Sequence, residues 1–321
     1  MKSALRIIPF ESSYNDFQML YELEKSLDYH VKNFGSVEML KYQASLIPEK
    51  CDPKTKFLEI DNKIIGYGYT GYQSWAFDKT LLDSNLSFPC EEKYLKYAQE
   101  YLEQQIANAR KIKEVKTFRA WLYQGNKFMT DFYTKNGFEI SLVQFLSILS
   151  LIDFREEEFS DHMNKFNKNS FQIRSLKELQ EENSNWEEEL FDLFHRVELD
   201  VPCDVEVDEN RKHWKARNLT PWFKPEDFYI VLEGKKWVAL STYNRGDTIT
   251  DTVSTELTGV LPEYRRKSIC TALKVYALVD LKKKGFKKVF TSNEENNPMY
   301  KINLMLGFKK IGTEVGCKLA L

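Results

Sequence analysis

The chain has 321 residues, 42% hydrophobic and 29% charged, a globular composition with length for two ordinary domains or one large one. A net charge of −2 gives no global attraction to nucleic acid or to an anionic membrane surface. Five cysteines without a C-x-x-C pair and four scattered histidines make a disulfide framework or a zinc site unexpected, and suit reduced thiols in a cytoplasm.

At the N-terminus, MKSALRIIPFESS has no apolar core of signal-peptide length, and no apolar run further on is long enough to span a membrane. A soluble, cytoplasmic protein is therefore expected. LRIIPF opens as a strand, and FLEIDNKIIGYGYTGY reads as strand, polar turn, strand. LLDSNLSF then passes into PCEEKYLKYAQEYL, whose turn carries Glu91 and Glu92. After it, TFRAWLYQGNKFMTDFYTKNGFE gives a strand, a turn and a helix stopped by Gly137.

The same order then recurs. Beyond the charged stretch at residues 155–170, FQIRSL matches LRIIPF loosely and FYIVLEGKKWVALSTY parallels the first strand pair. KVFTSNEENNPMYKINLMLGFKK aligns without gaps with the earlier strand–turn–helix, so that Trp121 falls on Thr291, Asn126 on Asn296, Gly137 on Gly307 and Phe138 on Phe308. Several matches in one order predict a duplicated domain. We divide the chain into residues 1–154, a linker at 155–170, and residues 171–321.

In the second copy, residues 195–223 carry Glu198, Asp200, Asp204, Glu206, Asp208 and Glu209 with Trp214 and Trp222, a set suited to a cationic amine or to a solvated acidic face. TVSTELTGV alternates as a strand ending near Val260, where Pro262 stops ladder pairing. Arg265, Arg266 and Lys267 follow, and from Ile269 onward Leu273, Tyr276, Ala277 and Leu281 recur at helical spacing up to Gly285. Unsatisfied amides at a helix start, a favourable dipole and three cations together suit a diphosphate. Asn297 caps the last helix at Pro298, with Met299, Ile302, Met305 and Leu306 as its apolar stripe.

Arg265-x-x-Ser268-x-Cys270 after Val260, Leu261 and Pro262 resembles the coenzyme A pyrophosphate motif Q/R-x-x-G-x-G/A of the GNAT acetyltransferases, and TSNEENNPMYKINLMLGF resembles the family's later signature. The chain is identified as a tandem GNAT protein of bacterial type. The fold implied is mixed α/β: two GNAT-like domains, each a mostly antiparallel central sheet flanked by helices. The activity implied is transfer of an acetyl group from acetyl-CoA to a primary amine by direct attack in a ternary complex, without a metal.

The resemblance implies roles residue by residue. Thr258, Gly259 and Val260 would pair with the pantetheine arm, and the amides of Arg266, Lys267, Ser268, Ile269, Cys270 and Thr271 would cradle the pyrophosphate, with Arg265 and Lys267 adding charge. Asn293, Asn296 and Asn303 would face the far side of the coenzyme. Where the family prefers glycine this chain has Ser268 and Cys270, and helical backbone angles there would make glycine unnecessary. The tyrosine that protonates the thiolate in many members is replaced by Asn303, while the first copy has Tyr133 at the matching place. Glu256, two residues before Thr258 and so on its strand face, is the candidate base. With Glu91 and Glu92 where cations belong, the first copy is expected to be a non-catalytic scaffold, and the assembly a monomer or homodimer. An inactive acyl-CoA sensor and a protein lysine or N-terminal acetyltransferase are the alternatives.

Overall fold

In a computed structural model, residues 4–27, 35–74, 77–201, 210–246 and 251–321 are described. They form two compact units, one of Met1–Gln144 with Gly312–Leu321 and one of Phe145–Ile311.

The first unit runs β1 (Leu5–Pro9), α1 (Tyr14–Leu27), α2 (Val37–Ser45), β2 (Lys54–Ile60), β3 (Lys63–Gly71), β4 (Leu81–Ser87), α3 (Glu92–Ala109), β5 (Thr117–Tyr123) and α4 (Lys127–Lys135), and enters β6 (Glu139–Ser150). The second holds α5 (Ser160–Asn167), β7 (Phe171–Ser175), α6 (Leu176–Glu182), α7 (Trp186–Glu198), α8 (Arg211–Asn218), β8 (Phe228–Glu233), β9 (Lys236–Asn244), β10 (Thr252–Val260), α9 (Ile269–Lys283), β11 (Lys288–Glu294) and α10 (Pro298–Met305), and enters β12 (Lys309–Ala320). The fold is mixed α/β, with mainly antiparallel sheets and flanking helices.

The final strand of each half is placed in a way that local pattern does not specify. The first unit's sheet has the order β1-β2-β3-β4-β5-β12, because the C-terminal residues of β12 pair antiparallel with β5 from Glu314↔Tyr123 to Ala320↔Thr117. The second unit's sheet has the order β7-β8-β9-β10-β11, with the last six residues of β6 beyond β11. Val315 and Cys317 accordingly belong to the first unit's core, and Leu149 to the second's.

The charged stretch at residues 155–170 contains α5, and its Phe159 and Phe166 are buried in the second unit's core. The burial of α9 departs from the spacing expected for it. Tyr276 is 41% exposed, and the wholly buried Lys274 takes an inward position. In α10, Met305 is likewise 45% exposed while Asn303 is buried. No helix among the described residues is long and apolar enough to cross a membrane.

Candidate active site

The strand ladder opens where the site lies. β10 and β11 are parallel neighbours paired from Thr252↔Lys288 to Ser254↔Phe290, and beyond that point the two strands run on without pairing to each other among the described residues. The other edge of β10 stays paired to β9 through Thr258↔Ser241, Gly259↔Leu240 and Val260↔Ala239. One edge of β10 is therefore available to an extended ligand, in the manner of strand addition. A cleft of about 560 Å³ occupies this place, lined by β10, the loop after it, the start of α9 and β11. Gly259 permits close packing behind it, since a Cβ there would meet Val197 Cγ1 at 2.2 Å.

A bulge lies at Glu256, where the register passes from Thr255↔Tyr243 to Leu257↔Thr242. Thr242 fixes it, because its hydroxyl accepts from Leu257 N–H at 3.1 Å and donates to Leu257 C=O at 3.3 Å. The extra residue breaks the alternation between Glu256 and Thr258 on which the strand-face argument rested. Thr258 instead faces Ser241, with hydroxyls 2.8 Å apart. Glu256 lines the main cleft and also a smaller hollow with Trp222, Phe223, Thr242 and Asn244. Its side chain is exposed towards these openings. The protein around the bulge still desolvates the carboxyl and shifts its pKa upward, opposed by a hydrogen bond from the Asn244 side chain.

The turn after β10 differs from the helical geometry expected of it. Ser268, the N-cap of α9, has φ 62° and ψ 9°, and Arg266 has φ 63°. Both are left-handed conformations that favour glycine. The motif's first small position thus does have the conformation for which the family uses glycine, and serine adopts it at a cost of about 1–2 kcal/mol. Alternating conformations of this kind turn consecutive N–H groups to one side as an anion-binding nest. The backbone bond from Ala272 N–H to Ser268 C=O (3.0 Å) begins the helix, leaving the amides before it outside the ladder.

The three cations do different things. Arg265 donates to Val260 C=O at 3.1 Å and is ion-paired with Asp200. Lys267 lies over the rings of Tyr264 at 5.1 Å and Phe171 at 5.8 Å. Arg266 is exposed, lines the cleft and has no partner among the described residues. Of the acidic residues proposed for an acceptor wall, Asp200 is engaged as stated and Glu198 pairs with Arg217 at 2.9 Å. Asp204, Glu206, Asp208 and Glu209 lie outside the described residues.

On the far wall, Asn293 lines the cleft, and Asn303 donates from Nδ2 to Asn293 Oδ1 at 2.7 Å from one layer further in. Asn296 is exposed and closes a turn on Glu294. Tyr300 packs on Phe145 with ring centroids 4.9 Å apart. Cys270 lines the cleft, but burial raises its thiol pKa to about 11, opposite to what a nucleophile needs. Ile269 and Thr271 complete the first turn of α9 within the lining. The sequence reading did not single out Lys274, Ser292 and Val197, and took Thr291 only as a repeat match and Asn297 only as a helix cap, yet all five line the cleft. Lys274 alone carried a signal, a lysine on the inward side of an otherwise apolar helix. No cluster of three or more His, Cys, Asp or Glu able to hold a metal occurs among the described residues.

The site thus joins a splayed parallel strand pair, an amide-rich turn and a helix start. The chain carries a domain of the acetyltransferase (GNAT) family, whose family model matches residues 182–307. Among curated proteins no sequence matches it. Its fold is similar to that of a tandem GNAT protein from the clavulanic acid biosynthesis pathway, with TM-score 0.73 and 11% identity over 99% of this chain and 98% of that one. A GCN5-related N-acetyltransferase from Sphaerobacter thermophilus matches with TM-score 0.62 and 12% identity, covering 98% of this chain and 95% of that one. An acetyltransferase of the GNAT family from Colwellia psychrerythraea matches at 0.60 and 13%, covering 98% and 99%.

Proposed function

We propose that the second unit transfers an acetyl group from acetyl-CoA to a primary amine by direct attack in a ternary complex, and that the first unit binds no coenzyme. The observation that carries this reading is the free edge of β10 leading to the left-handed turn at Arg266 and Ser268 and the open amides of α9. A thioester supplies the activated acetyl carbon. The free edge of β10 suits the amides of a pantetheine arm, and the turn, with Arg266, suits a diphosphate.

Glu256 is the proposed base. Its raised pKa places it nearer the operating pH than an ordinary carboxylate, and its position at both openings lets it meet an acceptor opposite the coenzyme. The smaller hollow, with Trp222 and Phe223, is the proposed acceptor side, and a small amine suits its dimensions better than a protein chain.

Calorimetry with acetyl-CoA and a thiol-release screen over a panel of amines test the reading together. One site per chain and amine-dependent release are expected. Binding without release for any amine would instead favour the sensor reading, which the serine at a left-handed position and the absence of an acidic group at Asn303 also suit.

A further inference from the structure

Lys274 has no part in the scheme above. It lies one turn beyond Cys270 on α9, is wholly buried, and its Nζ has no hydrogen-bond partner. A buried ammonium without a counter-charge is unfavourable, and such groups are normally paired. The groups facing it are the ring of Phe308, 5.8 Å from Nζ, and the thiol of Cys270 on its own helix. Tyr243 of β9 lies beyond Cys270, and Glu256 of β10 lines the same cleft. None of them forms an ion pair with it. Burial lowers the Lys274 pKa to about 8, which leaves it mostly charged at neutral pH.

Three cations line the cleft, and Arg265 and Arg266 are exposed on the turn at its mouth. Lys274 is the one set into the protein, on the wall that also carries Asn293 and, behind it, Asn303. At position 303 itself there is no acidic hydroxyl, since Asn303 can donate only from its amide.

We propose that Lys274 is a buried counter-charge for the coenzyme thiolate that departs during acetyl transfer. The inference rests on the acetyl-transfer reading. As the acceptor nitrogen bonds to the carbonyl carbon and the C–S bond breaks, the electron pair stays on sulfur. The amine proton goes to Glu256 and water, and sulfur leaves as a thiolate that water protonates on release. The ammonium field lowers the energy of this anion without contact, because charge–charge attraction is strong where water is excluded. Lys274 therefore acts through its field, and a proton donor at position 303 is unnecessary.

The test uses the full chain with free coenzyme A, following the thiolate ultraviolet absorbance against pH, with desulfo-coenzyme A as the blank. The bound thiol is expected to titrate at least tenfold more readily than the free one. That shift should vanish in Lys274→Met and be partly retained in Lys274→Arg, which also serves if the Met variant fails to fold. An unshifted thiol in the wild type, or the same shift in Lys274→Met, overturns the proposal while leaving acetyl-CoA binding intact. Failure of both coenzyme A and its desulfo analogue to bind in calorimetry would instead remove the acetyl-transfer reading itself.

Discussion

The two units offer clefts of nearly equal size, about 540 Å³ in the first and about 560 Å³ in the second, each beside a parallel strand pair that stops pairing partway. In the first unit, β4 and β5 pair from Leu81↔Thr117 to Ser84↔Ala120, and the cleft lies beyond. The charge around the two differs. The first cleft is lined by Glu24, Glu314 and Asp83, the last ion-paired with Arg119, together with Tyr67, Tyr69 and Trp121. The second is lined by the cations Arg265, Arg266 and Lys274 as well as by Asp200 and Glu256. At the matching helix position the first unit buries Tyr133, whose phenol burial holds neutral, and the second buries Asn303. The splay of the strands makes a cavity, and the charge around it decides what the cavity can hold.

The sharpest way to break this contrast is at the base. Glu256→Gln is expected to lower kcat by about 10²–10⁴, the usual worth of general-base assistance, with acetyl-CoA affinity unchanged in calorimetry. A variant with full kcat would leave transfer to another base.

The buried charge gives the next largest effect. Because the Lys274 pKa falls from 10.5 to about 8 on folding, folding releases its proton between those values. The penalty is full below about pH 8 and is relieved as pH rises towards 10.5, so stability should climb by about 3 kcal/mol over that window from this group. Lys274→Met should remove the climb and raise Tm at neutral pH, as read in denaturant titrations across the window. An unchanged profile would mean that Lys274 is not desolvated.

The cations can be ranked in the same way. Arg266→Ala should weaken acetyl-CoA binding by about 10–100-fold, the range of a charge-assisted hydrogen bond. Lys267→Ala, whose ammonium lies over Tyr264 and Phe171, should change it little, as should Glu91→Ala in the first unit. Equal losses at Arg266 and Lys267 would show that the turn acts only through its summed charge. The smallest effect expected is at Ser268→Gly. Relief of the left-handed serine, partly offset by glycine entropy, should stabilise the fold by about 0.5–1 kcal/mol in chemical denaturation. A loss of stability would mean that the serine hydroxyl makes a compensating contact.

Much of the site was legible because it depends on order along the chain. The strand ending near Val260, the break at Pro262, the helix from Ile269 and the cap at Asn297 ahead of Pro298 follow from local rules, and the structure has them. The repeat between Thr117 and Lys288 predicted two copies of one architecture, since equal patterns of apolar spacing fold into equal elements.

What chain order could not supply was decided by packing. The bulge at Glu256 adds one residue to a strand that still looks alternating, and only its pairing with β9 shows which residues share a face. The left-handed angles at Arg266 and Ser268 arise because the chain must leave β10 and enter α9 within a short turn, a constraint of tertiary path that serine and arginine do not announce. Lys274 and Tyr276 exchange their expected environments because α9 is enclosed on most sides, so helical spacing does not separate inside from outside. The placement of β12 beside β5, and of the end of β6 beyond β11, is set by which sheet edge each strand reaches. Both strands follow a helix ending in G-F and have similar apolar alternation, so the sequence determined that two such strands exist. Only backbone pairing in three dimensions determined which unit each one completes.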